Sequence, residues 1–234
     1  MLKSIAIDDP NIFSICKNSL DKGGVIIYPT DTLYGFGVDA RNENAIKKIN
    51  SIKRRSSPMS IIIENFEELN RYTKLSKEKM SFIKENINSK TTFILPSIDG
   101  VVHKSIMSNN NLIGYRIPDK TIGPKLVSEI GYPITSTSVN RHGNKPMNNP
   151  SEMIDEFGDE VDIIINAGVL PKSRGSTIYI LRNNQFQKGE IISIEHLRNI
   201  DNNIELFKNQ LKDENILQLE ELSSQIKVLA KTIS

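Results

Sequence analysis

The chain has 234 residues, enough for one large domain with a substantial core, or such a domain plus an appendage. Its 30 basic and 28 acidic side chains leave a net charge of +2, which excludes the bulk electrostatic excess of a histone-like nucleic-acid binder, so any anionic ligand must be held locally. The lone Cys16 excludes a disulfide framework and a multi-cysteine metal site, His103, His142 and His196 share no ligand-like spacing, and no apolar run approaches the ~20 residues that span a bilayer. These features, with an N-terminus that lacks a signal-peptide core, predict a cytoplasmic protein with no membrane partner and no metal site of its own.

Asp9 followed by Pro10 reads as an N-cap with proline at the first helical position. Ile12, Phe13, Cys16 and Leu20 then fall at helical spacing until Gly23 and Gly24, which predicts a helix over residues 10–22. "VIIYPT" reads as a buried strand, followed by a polar turn and a helix in "NENAIKKINSIKRR", where Ala45, Ile46, Ile49 and Ile52 form one stripe. Next come a strand in "MSIII", helices in "FEELNRYT" and "SKEKMSFIKENI", strands in "TTFILP" and "LIGYRIP", and a helix in "GPKLVSEIG". The strand "YPITSTSV", the loop "NRHGNKPMNNP", the helix "SEMIDEFG" and the strands "VDIIINAG", "STIYIL" and "EIISI" complete the series. Strands interleaved with helices predict an α/β fold, with an open, twisted sheet that late hairpins make mixed rather than all-parallel. Past this domain, residues 1–198, the texture changes. Leu219, Leu222, Ile226, Leu229 and Ile233 predict an amphipathic helical tail in residues 199–234, which packs on its own domain because the repeat is too short for a coiled coil.

Four segments near strand ends are more polar than the fold requires, and ligands of α/β sheets bind at such edges. The first is Thr30, Asp31, Thr32 and Tyr34, where Gly35 and Gly37 would let backbone approach a ligand; taken alone, "TDT" is better explained by an ordinary capped turn. The second is "KRRSSP": cations at a helix C-terminus complement its dipole, but three in a row exceed that need, and Lys53 with Arg55 would serve a triphosphate. Third, Arg116 interrupts an apolar strand just before Pro118, as an exposed edge residue or as a guanidinium aimed at a carboxylate. Fourth, the alternation in "PITSTSVNRHG" places Ser136, Ser138 and Asn140 on one face, so that Ser138 and Asn140 can offer a hydroxyl and an amide to one ligand. No catalytic triad, Walker loop or dinucleotide fingerprint is present, which points to chemistry by positioning and charge neutralisation.

In order along the chain, "PTDTLYGFG", Lys53 and Arg55, "RIP" at 116–118, "SVNRHG" at 138–143, and Ser176 with Thr177 resemble the hallmarks of the YrdC-like threonylcarbamoyl-AMP synthase family. The resemblance covers approximately residues 8–195 and implies a YrdC-like domain with a concave, basic cleft. It implies formation of threonylcarbamoyl-AMP and pyrophosphate from L-threonine, bicarbonate or CO2 and ATP, with Mg2+ accompanying ATP. The product would pass to a tRNA threonylcarbamoyl transferase, and the cleft could contact tRNA or double-stranded RNA. Site residues carried over are Thr30, Ser60, Arg116, Ser138 and Ser176 for threonine, and Lys53, Arg55, Ser57, Asn140, Asn148 and Lys188 for ATP, with Lys53 and Arg55 catalytic. The chain departs from the family pattern in a shorter basic loop, in His142 where a serine is usual, and in Lys188 where an arginine often precedes glycine. A non-catalytic RNA- or nucleotide-binding relative is the alternative; a carbamoyl-transfer module is disfavoured, because the accompanying zinc-finger and acylphosphatase-like segments are missing from the chain.

Overall fold

The β-branched run after Gly24 becomes a wholly buried strand, and it anchors the sheet described by the computed structural model. The structure describes residues 3–54, 58–108, 110–118, 121–173, 175–182 and 185–189, with backbone alone at Lys3, Arg182 and 185–189. In chain order the elements are β1 (Lys3–Ala6), α1 (Ile12–Asp21), β2 (Ile26–Pro29), β3 (Tyr34–Gly37), α2 (Glu43–Lys53), β4 (Ser60–Ile62), α3 (Lys77–Asn86), β5 (Thr91–Pro96), β6 (Leu112–Arg116), α4 (Ile122–Ile130), β7 (Ile134–Ser138), α5 (Pro150–Phe157), β8 (Ile163–Asn166), β9 (Thr177–Arg182) and β10 (Gln185–Gly189). Short 3-10 helices cover Glu67–Arg71 and Lys104–Ile106.

The strands form one sheet in the order β1-β8-β2-β3-β7-β4-β6-β5-β9-β10. It is mixed: β8 runs parallel to β1 and β2, β4 parallel to β6, and β5 parallel to β9, whereas β7 is antiparallel to β3 and β4 and joins the two halves. One face buries Ile27, Phe36, Ile61, Phe93 and Tyr115 against Ile46 and Ile49 of α2, Ile83 of α3 and Phe157 of α5. The other buries Ile26, Tyr28, Ile62, Ile134 and Ile163 against Cys16 and Leu20 of α1 and Leu126 and Ile130 of α4. Among the described residues that second cluster takes nothing from β5, β6 or β9, so on this face α1 and α4 cover only part of the sheet.

Differences from the sequence expectations have local causes. Helix α1 begins two residues later than its cap signal: Asp9 Oδ1 accepts from Asn11 N at 2.8 Å, so the Asp-Pro pair forms the preceding turn and Asn11 is the N-cap. "YGFG" is strand β3, antiparallel to β2 in a hairpin, where a turn was expected. "FEELNRYT" forms only the 3-10 turn, and β1 and β10 were not foreseen. "EIISI" and the helical tail lie outside the described residues. Among the described residues, no helix is long and apolar enough to cross a membrane.

Candidate functional site

Where α1 and α4 leave the sheet uncovered, strand alternation turns small polar residues outward. Ser60 on β4 pairs with Ser136 on β7 and with Gly114 on β6. A Cβ at Gly114 would lie 2.2 Å from Ser60 Oγ and 3.1 Å from Thr92 Cγ2, so β6 is bare there because the Ser60 side chain leans across it. On the far side, Thr92 Oγ1 and Ser176 Oγ are 2.6 Å apart. Ser136, Ser60, Thr92 and Ser176 thus form a hydroxyl belt that runs from β7 across β4, β6 and β5 to the residue preceding β9.

Arg116 stands two residues beyond Gly114 on the same face, 8% exposed. Its Nη2 donates to Thr32 Oγ1 at 3.0 Å and its Nη1 to Ser136 Oγ at 3.5 Å, while Nε has no hydrogen-bond partner among the described residues. Burial lowers its pKa, and nearby Tyr28 and Asp31 oppose that shift. No carboxylate among the described residues forms an ion pair with it. An enclosed guanidinium without a counter-ion is costly, and it is suited to a planar carboxylate arriving as ligand.

The turn that meets Arg116 is held by Thr30. Its hydroxyl donates to Leu33 O at 2.7 Å and accepts from the Thr32 and Leu33 amides at 3.3 and 3.2 Å. The hydroxyl facing Arg116 is therefore that of Thr32, and Thr30 does the capping. Gly37 also differs from expectation: a Cβ there would lie 2.7 Å from Tyr28 Cε1, so it makes room for that buried ring rather than for a ligand.

The C-terminus of α2, which packs on the opposite face of the sheet, clasps the exit of β7. Lys53 is 2% exposed, and its Nζ donates to Ser138 O (2.5 Å), Asn140 O (3.2 Å) and Asn140 Oδ1 (2.9 Å). Asn140 Oδ1 also accepts from Ser138 Oγ at 2.7 Å, and its Nδ2 donates to Arg141 O and Asn144 O. His142 N donates to Lys53 O, and Arg141 donates to Ile52 O and pairs with Glu156 and Glu160 on and just beyond α5. Hydrogen bonds to Glu160, the largest influence, and to Glu156 raise the Arg141 pKa, so the guanidinium stays charged.

A family model described as Telomere recombination (Sua5_yciO_yrdC) matches residues 18–192. The chain belongs to the Sua5/YciO/YrdC family. The threonylcarbamoyl-AMP synthase of Vibrio vulnificus YJ016 is 28% identical over 180 residues, covering 75% of this chain and 96% of its own length. The protein YciO of Escherichia coli K12 is 30% identical over 152 residues, covering 64% and 74%. Among solved structures, E. coli YciO aligns with a TM-score of 0.72 at 26% identity, over 80% of this chain and 93% of its own. P. abyssi Sua5 complexed with L-threonine aligns with a TM-score of 0.68 at 26% identity, over 77% of this chain. The chain spans about half the length of Sua5, 54% of it.

In this Sua5/YciO/YrdC chain, Ser60, Arg116, Ser138 and Ser176 stand on the face that α1 and α4 leave partly bare among the described residues; alternation in β7 had put Ser138 on a polar face, while Ser60 and Ser176 came from the family resemblance alone. Lys53 and Asn140 bind each other, and Asn148 Nδ2 donates to Leu170 O at 2.6 Å, holding the segment that leads from β8 to β9. Tyr34 grips that segment too, through Gly168 O and Ala167 N. Arg55 and Ser57 lie outside the described residues; Lys188 is placed by backbone alone, opposite Tyr179. Sequence reasoning missed Thr92 and gave Ser136 no role, although both follow from alternation with Ile94 and Ser138. The contact of Thr32 with Arg116 left no local signal, because it joins residues from distant strands.

Proposed function

We propose that the protein is an L-threonylcarbamoyladenylate synthase, a nucleotidyltransferase acting on L-threonine, bicarbonate or CO2, and ATP, in the service of tRNA modification. The observation that carries this reading is Arg116: a buried guanidinium whose Nε has no hydrogen-bond partner and which pairs with no carboxylate among the described residues, beside a row of hydroxyls. Threonine's carboxylate would occupy Arg116. Ser136 Oγ lies 3.5 Å from Arg116 Nη1 and Ser60 is the cross-strand partner of Ser136, so both hydroxyls are within reach of the rest of the amino acid. The amine adds to CO2 as the neutral base, giving a carbamate and releasing one proton. A carbamate oxygen then attacks the α-phosphorus of ATP in line, forming the mixed anhydride as pyrophosphate leaves. Mg2+ enters with ATP as part of the substrate, and among the described residues no cluster of three or more His, Cys, Asp or Glu could hold a metal ion. Lys53, Arg55, Ser57, Asn140, Asn148 and Lys188 are the residues proposed for the nucleotide side, and Lys53 would reach phosphate only by exchanging its bonds to Ser138 and Asn140.

That internal engagement of Lys53 and Asn140 favours the second reading, a non-catalytic nucleotide or RNA binder. The decisive experiment measures pyrophosphate release from ATP with and without threonine and bicarbonate, beside calorimetric titrations of threonine and ATP. Release that needs both co-substrates, and that falls by at least about a hundredfold in Arg116→Gln, is expected from loss of a charged, enclosed contact. RNA binding that weakens steeply with salt, without pyrophosphate release, would establish the second reading instead.

A further inference from the structure

Arg116 Nε is not alone in lacking a partner: Asp31 Oδ2, in the turn facing it, is likewise enclosed and without a hydrogen bond among the described residues. The Asp31 charge is felt at the guanidinium, yet the two form no ion pair among the described residues. Each is held independently. Thr32 Oγ1 fixes Arg116 Nη2 at 3.0 Å, and Thr30 Oγ1 fixes the backbone on the far side of Asp31 through the Thr32 and Leu33 amides. Two such groups could have satisfied one another, since a carboxylate and a guanidinium pair readily. Kept apart, Arg116 Nε and Asp31 Oδ2 each lose water without gaining a partner among the described residues, an arrangement that disfavours the empty turn and favours a ligand with both complementary charges. A free α-amino acid is such a ligand, with carboxylate and ammonium on one carbon.

We infer that Asp31 receives the α-amino group of the amino-acid substrate whose carboxylate Arg116 holds, an assignment that rests on the proposed function. Asp31 is then a specificity-determining residue, separating α-amino acids from the corresponding hydroxy acids and from N-blocked derivatives. The hydroxyls of Ser136 and Ser60 remain for the side chain, and Thr30 and Thr32 set the spacing of the two charges.

The test is calorimetric titration of the full chain, wild type and Asp31→Asn, with L-threonine and with 2,3-dihydroxybutanoate, which carries a hydroxyl in place of the ammonium; ATP serves as a fold control. Wild type should prefer threonine by about ten- to a hundredfold, the range of one charge-assisted hydrogen bond. Asp31→Asn should lose that preference while binding dihydroxybutanoate and ATP as wild type does. Threonine affinity unchanged in Asp31→Asn overturns the inference and leaves the proposed function standing. Equal weakening of all three ligands overturns it in favour of a structural role. Wild type that binds no threonine refutes the proposed function and the inference together. Should Asp31→Asn not fold, the wild-type comparison decides: equal affinity for threonine and dihydroxybutanoate overturns the inference.

Discussion

Removing the Lys53 ammonium would strip Ser138 O, Asn140 O and Asn140 Oδ1 of a shared donor at a position 2% exposed. Hydrogen bonds to a charged group contribute about 1.5–3 kcal/mol each, and their acceptors would stay enclosed. Lys53→Met should therefore lower stability by about 3 kcal/mol, seen as an earlier urea midpoint, while Lys53→Arg recovers part of it. An unchanged midpoint would show that the clasp does not hold the β7 exit. The sequence marked Lys53 as a ligand for phosphate because cations crowd the end of α2, but its destination depended on β7, 85 residues on. The same holds in the β2–β3 turn. Three residues with oxygen side chains were visible there, yet which of them capped the turn and which faced Arg116 is set by a strand that the local pattern does not contain.

The hairpin of β2 and β3 is the element whose strand was not legible, because two of the four residues in "YGFG" are glycines, which weaken strands. Their reason is tertiary. Gly37→Ala would drive a Cβ to 2.7 Å from the Tyr28 ring, whose hydroxyl is tied to Thr135 O at 2.9 Å, so the variant should lose about 1–3 kcal/mol and melt earlier. Gly35→Ala, which meets nothing nearer than 3.6 Å, should melt close to wild type; equal losses in both would locate the cause elsewhere. Arg54 presents the opposite case at the end of α2. It C-caps the helix at φ 53°, the left-handed region in which glycine is cheap and arginine strained. Arg54→Gly should raise stability by about 1 kcal/mol, measurable as a higher Tm, set against its attraction to Glu160. The strands β4 to β7 were legible because they are apolar or alternating runs whose flanks carry proline, glycine or asparagine, whereas β1 and β10 are edge strands with little pattern to read.

Across the whole molecule, burial places several weak acids where their charged forms are disfavoured. The Cys16 thiol is pushed up from 9.0 to about 12, the Tyr115 phenol from 10.0 to about 12, and Tyr28 is raised further, in each case chiefly by desolvation. Folded-state values above unfolded ones mean that their contribution is fully present below the unfolded value and is lost as pH rises through the folded one. Stability should thus fall from about pH 9 toward pH 12, and a Tm that stays flat over that range would contradict the burial of these groups. The order of the strands has a consequence in time as well. Lys3 pairs with Ile163, and Ile26 pairs with that same residue, so the half of the sheet that is made first lacks the strand between its members until β8 appears. At ribosomal rates of roughly 5–20 residues per second, the N-terminal strand waits on the order of ten seconds or more for its partner. During that interval the apolar edge of β2 is open to any other strand in the cell, which makes the newborn chain, more than the finished one, the form that needs a chaperone.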